Sequence, residues 1–223
     1  MKRNLLGCGL VAGPLFIAAS LTQAFSRQGF DLARHPISLL SLGAPGWVQI
    51  ANFVVCGTLY VLGAFGLRQG IRQSRGGTWG PLLIGFTGVG LIIAGVFTAD
   101  PGAGFPPGAP SGAPTMSWHG LLHELGFLLT FVAAISTSLV FARRYAVQGR
   151  RGWMVAAILT PVAALLVAGW PDFNTLSVRL VITTAILFGF LTAVFVEVLK
   201  QGRIDEVEED DHRQRWDQHP ARH

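Results

Sequence analysis

Long apolar runs alternate with short polar connections along this chain. Crossing roughly 30 Å of hydrocarbon takes about 20 helical residues. Six runs approach or reach that length: Leu5–Phe25, Trp47–Leu67, Trp79–Thr98, Trp118–Ala142, Trp153–Trp170 and Ser177–Leu199. Lipid offers nothing to satisfy exposed backbone groups, so spans of this kind form helices. The pattern predicts an all-α fold, an integral membrane bundle of six transmembrane helices over residues 1–200. Residues 201–223, charged with both signs and almost free of apolar side chains, read as a disordered tail. Four of the runs start at or next to a tryptophan and one of these also ends at Trp170, as in the aromatic belts of membrane interfaces.

Charge then orients the bundle. Fourteen Lys and Arg fall on one side of the predicted membrane, including Lys2, Arg68, Arg75, Arg144 and Arg150, against Arg27, Arg34 and Arg179 on the other. By the positive-inside rule both termini are cytoplasmic in a multi-pass protein of the cell membrane, and the connections 26–46, 99–117 and 171–176 face outward. Because the basic residues form short clusters between apolar runs, they argue for membrane orientation and against nucleic acid. Composition agrees: 51% hydrophobic and 13% charged residues lie outside the usual range of a soluble domain. Residues 1–25 also suit a cleavable signal peptide, but the later topology closes only if this segment spans and stays. Leu5-Leu6-Gly7-Cys8 is read as a chance match to a lipoprotein box. Cys8 and Cys56 both lie in apolar runs and suggest no disulfide framework.

Glycines inside the spans, such as Gly9 and Gly13, Gly63 and Gly66, or Gly85 and Gly88, suit close helix packing in lipid. The outward side holds the candidate chemistry: His35, Ser38, Asp100, His119, His123 and Asp172. Ionisable groups at membrane depth are expensive and mark cavities, partners or ions. His119 and His123 stand at i and i+4 and share a helix face. With His35 folded beside them they would complete a three-histidine zinc site with an open fourth position. Asp100 would then act as general base on a zinc-bound water, and Ser38 would polarise a carbonyl. The competing account has these residues as interface groups and helix caps, with Ser38 and Asp31 as capping residues. Asp172 and Arg179 read as an ion pair, Asn52 as a cavity-lining or helix-bonding residue, and Glu197 as a structural, snorkelling carboxylate.

The segments His35-Pro36-Ile37-Ser38-Leu-Leu-Ser-Leu-Gly43, Trp47–Asn52, Phe97-Thr-Ala-Asp100-Pro101 and His119-Gly-Leu-Leu-His123 resemble the bacterial membrane-protein family called domain of unknown function 998. That resemblance covers nearly everything from Leu5 to Leu199 and implies six spans without an established activity. The site residues are also loosely similar to those of the alkaline ceramidases and adiponectin receptors. The second resemblance implies zinc on His35, His119 and His123, supported by Asp100 and Ser38. This chain has six spans instead of seven, and its serine follows the first histidine instead of preceding it.

Two function classes follow. One is a metal-dependent hydrolase of a lipid-like amide or ester at the outer leaflet, with membrane lipids as partners. The other is a non-catalytic membrane sensor, small-ligand carrier or accessory subunit using the same pocket. Transport is the weaker form of the second, because the inner halves of the spans offer little polarity beyond Glu197.

Overall fold

The computed structural model of the chain describes residues 2–72 and 76–218. Six helices follow one another: α1 Lys2–Ser26, α2 Gly46–Ile71, α3 Trp79–Val96, α4 Trp118–Val147, α5 Arg151–Ala168 and α6 Leu176–Gln218. Each contains a stretch long and apolar enough to cross a membrane. Consecutive helices pack side by side and α6 returns to α1, closing a ring. The connections after α1, α3 and α5 gather at one end, called here the loop end, opposite the two termini. The backbone of α6 stays helical through Gln218, past residue 201 where the sequence suggests a disordered tail. Arg75 and residues 219–223, with His219 and His223, lie outside the described residues.

Helix α4 shows what organises the bundle. Leu121, Leu125, Leu128, Val132 and Leu139 recur at helical spacing and are exposed. On the other face His123, Gly126, Thr130, Ala133, Ala134, Thr137 and Phe141 are buried. In lipid an outward leucine loses nothing, whereas an unpaired polar group does, so hydroxyls and imidazoles turn inward. Small residues set how closely helices approach. A Cβ on Gly57 would lie 2.5 Å from the Gly88 carbonyl oxygen, and one on Gly88 would lie 2.4 Å from that of Gly57. The backbones of α2 and α3 therefore meet directly at this crossing.

Several polar groups buried between α1 and α2 pair with one another. Gln49, fully buried, accepts from Gln23 Nε2 at 2.7 Å and donates to Ser20 Oγ at 3.1 Å. Asn52 donates to the Phe16 carbonyl and to Ser20 Oγ, so its role is to join α2 to α1. Near the termini Glu197 does not snorkel. It is buried, forms an ion pair with Arg150, and accepts from the Tyr145 hydroxyl at 3.4 Å. The Arg150 guanidinium also sits over the rings of Tyr145 and Trp153, at 5.3 and 5.6 Å from their centroids.

The expected Asp172–Arg179 ion pair takes another form. Arg179 donates to the carbonyls of Val167, Ala168, Trp170 and Asp172, closing the end of α5 where backbone acceptors have no helical partner. The Asp172 carboxylate instead accepts from the Asn174 N–H and the Thr175 hydroxyl.

Candidate functional site

His35 lies in the α1–α2 connection just before a 3₁₀ turn, Ile37–Ser41, and both its ring nitrogens are engaged. Nδ1 accepts from the Asp31 N–H at 2.9 Å, and Nε2 is 3.1 Å from the Ala103 carbonyl. A carbonyl can only accept, so Nε2 carries the proton and the ring is neutral. The imidazole packs between the rings of Phe30 and Phe105. Phe105 in turn is buried with Leu39 and Ala99 in a small core of its own. His35 therefore fastens the first outer connection to the 99–117 connection, and no lone pair remains for a metal.

Asp100 closes the start of α4. Its carboxylate accepts from the Ser117 N–H and the Ser117 hydroxyl, each at 2.7 Å, and the Ser117 oxygen accepts from the Gly120 N–H at 3.0 Å. A negative charge over the first turn also suits the positive end of the helix dipole. The Ser117 N–H is the strongest influence holding the Asp100 carboxyl below its ordinary value of 3.8. Burial opposes this, while the Ser117 hydroxyl and the nearby His119 and His123 add to it.

The two α4 histidines share a face, as their spacing predicts, but serve the end of α3. His119 Nδ1 donates to the Thr98 carbonyl at 3.1 Å, and His123 Nδ1 donates to the carbonyls of Ala94 and Phe97 at 2.8 and 3.0 Å. The last carbonyls of a helix have no intrahelical partner. Two imidazoles one turn apart on α4 reach acceptors one turn apart at the end of α3. His119 Nδ1 stands 3.8 Å from Asp100 Oδ1 with its side chain 40% exposed.

His123 is 2% exposed, and with Nδ1 donating, its Nε2 is a free acceptor. The ring lines a cavity of about 250 Å³ reaching from the loop end into the bundle. Ser38, Glu124 and Thr130 line the same cavity, along with Phe16, Phe53 and Phe188. From His123 to Thr130 is seven residues of α4, about 10 Å of depth. The Ser38 hydroxyl makes no hydrogen bond, although its carbonyl accepts from Ser41 Oγ. Glu124 is exposed at the rim. His35, Asp100 and His119 do not line this cavity.

Of the five predicted site residues, the structure brings His123 and Ser38 to one cavity and Asp100 to His119. His35 is turned to other work. Among the described residues no group of three His, Cys, Asp or Glu side chains is placed to hold a metal ion. In this state the three rings do not form a zinc centre, since neither nitrogen of His35 is free, although Nε2 of His119 and of His123 is not taken up by the carbonyl bonds. Sequence reasoning set Glu124 apart from the two histidines, on a different part of the helix, and passed over the cavity-lining phenylalanines. Glu124 immediately follows His123, and the 3.6-residue repeat places the apolar lining of α4 at Phe127 and Phe131, on the same side.

The family described as "Protein of unknown function (DUF998)" matches residues 10–203. No curated protein and no solved structure matches the chain.

Proposed function

The chain belongs to this family of unknown function, and from that premise we propose that it binds a lipid-like amphiphile in the membrane, as a sensor or accessory subunit. The observation that carries this reading is a buried imidazole with one free nitrogen opening on an otherwise largely apolar cavity. Pockets of this composition, apolar walls with a few convergent polar groups, are the usual form of a small-molecule site. Its volume of about 250 Å³ exceeds the roughly 150 Å³ apolar cavity that accepts benzene and falls below the usual range for drug-sized ligands. It suits one short chain and part of a head, not a whole phospholipid. With both termini cytoplasmic, as the Lys and Arg distribution suggests, the mouth beside Pro36–Ser38 opens at the outer leaflet of the cell membrane.

The test is native mass spectrometry of the protein purified in mild detergent. Wild type should retain a small amphiphile that Thr184→Phe, which fills the cavity, does not, while both unfold at similar temperatures. Equal retention by the filled variant overturns the reading.

A second reading, hydrolysis of a lipid-like ester or amide, is favoured by Ser38 and His123 opening on the same cavity with a free hydroxyl and a free nitrogen. Ser38 Oγ would attack the carbonyl while His123 Nε2 takes its proton. His123 would pass that proton to the departing alcohol or amine as its bond to the carbonyl breaks. Water would then cleave the acyl-serine to release the acid and restore Ser38, with no metal in the step. The Ser38 hydroxyl is not hydrogen-bonded to His123 in this state. Turnover of an ester substrate by wild type that Ser38→Ala abolishes would promote this reading over simple binding.

A further inference from the structure

The cavity can be read for the head group it prefers. This step rests on the binding reading above. Three polar side chains stand at its loop-end mouth. His123 offers Nε2, and that nitrogen is an acceptor because Nδ1 is committed to the carbonyls of Ala94 and Phe97. Glu124 offers a carboxylate, which when ionised can only accept. Ser38 offers a hydroxyl that accepts or donates as its partner requires. Among the described residues no Lys or Arg lines the cavity.

A phosphate or carboxylate head would therefore meet one carboxylate and one lone pair, with a single hydroxyl as its only side-chain donor. Like charges in a poorly hydrated site repel more strongly than in water, and an anion without donors bears its desolvation cost uncompensated. An ammonium head has the opposite balance. It carries three N–H donors and one positive charge, and it meets three groups able to accept, one of them negatively charged. The aromatic wall adds to this, because ring faces attract cations. Phe53 and His123 form a T-shaped pair with ring centroids 6.0 Å apart. We infer that the occupant is a single-chain amphiphile with a primary ammonium head, held at His123, Ser38 and Glu124, with its chain running inward toward Thr130 and Phe188.

The experiment compares three ten-carbon probes: decylamine, decyltrimethylammonium and decanoate. Each is titrated by calorimetry into the full chain in phosphatidylcholine nanodiscs, with empty nanodiscs as the blank for partitioning. Decylamine should bind at least tenfold more tightly than decanoate. Decyltrimethylammonium, which has the charge but no N–H donors, should fall between them. In Glu124→Gln, whose exposed position leaves folding intact, the gap between amine and carboxylate should shrink several-fold while chain binding persists. In Ser38→Ala the amine should weaken more than the quaternary ammonium. Decanoate binding as tightly as decylamine overturns the head-group inference and leaves the pocket reading standing. Failure of all three probes to bind above the blank overturns both.

Discussion

Asp100 and Gly120 are in direct contact: a Cβ added at Gly120 would fall 1.9 Å from Asp100 Oδ2. The carboxylate that caps α4 occupies the space where any other residue would place its side chain. Gly120→Ala should therefore destabilise the bundle by about 1–3 kcal/mol, the usual range for overpacking. Asp100→Ala removes the cap and the obstacle together, so Gly120→Ala should cost much less in that background. Thermal unfolding of the four proteins of this double-mutant cycle checks the coupling. Strict additivity would mean that the contact is not what demands glycine.

Asp100 also sets a pH dependence. Its carboxyl is held below 3.8, chiefly by the Ser117 N–H. The folded state then binds this proton less readily than the unfolded chain, so the contribution is complete above the unfolded pKa and fades as pH falls through the folded one. Melting temperature in detergent should drop between about pH 5 and pH 3, and Asp100→Asn should flatten that part of the curve. A parallel decline in wild type and variant would assign the loss to other groups.

His35 joins two connections that are far apart in sequence. Replacing it with Ala leaves the Ala103 carbonyl without its partner and opens a gap between Phe30 and Phe105. A cost of about 1–3 kcal/mol is expected for the lost hydrogen bonding, together with faster proteolysis of the 99–117 connection. A strong chelator should leave the wild-type melting temperature unchanged. A chelator-induced drop that His35→Ala lacks would restore the metal role.

The Arg150–Glu197 pair should respond asymmetrically. The Arg150 side chain is 30% exposed and that of Glu197 only 3%. Freed of its partner, the arginine can turn to water, but the carboxylate cannot. Arg150→Met should cost about 1–3 kcal/mol, because the buried carboxylate loses its ion-pair partner but keeps the Tyr145 hydroxyl and the nearby charge of Arg144. Glu197→Leu should cost less, and the double replacement should recover much of the loss. Equal costs for the two single variants would contradict this account.

Tyr60 and Thr192 turn their hydroxyls toward Gly13, both buried and without a hydrogen-bond partner. Leaving a buried hydroxyl unpaired costs about 1–3 kcal/mol. Tyr60→Phe is therefore expected to hold or raise the melting temperature, while Phe188→Ala beside it lowers it. A clear loss of stability in Tyr60→Phe would reveal a partner for that hydroxyl.

Much of the architecture was legible because the rules of lipid act locally. Trp79 and Trp118 mark the starts of α3 and α4, and those helices begin at these residues. The i, i+4 spacing of His119 and His123 correctly placed both rings on one face. It carried no information about what that face meets, and here the partners are the carbonyls of Thr98, Ala94 and Phe97. Arg179 behaves likewise, bonding to the exposed end of α5 instead of to the Asp172 carboxylate.

By itself the sequence determined how many spans there are, roughly where each starts and, for all but α6, where it ends, and which residues are too polar to face lipid. Hydrocarbon thickness and backbone hydrogen bonding impose these limits on each segment separately. Only the tertiary structure decided which imidazole nitrogen is free and which side chains share a cavity. Backbone carbonyls are the same at every residue, so nothing in the sequence marks which of them an imidazole N–H will reach, and with that which ring nitrogen is left free.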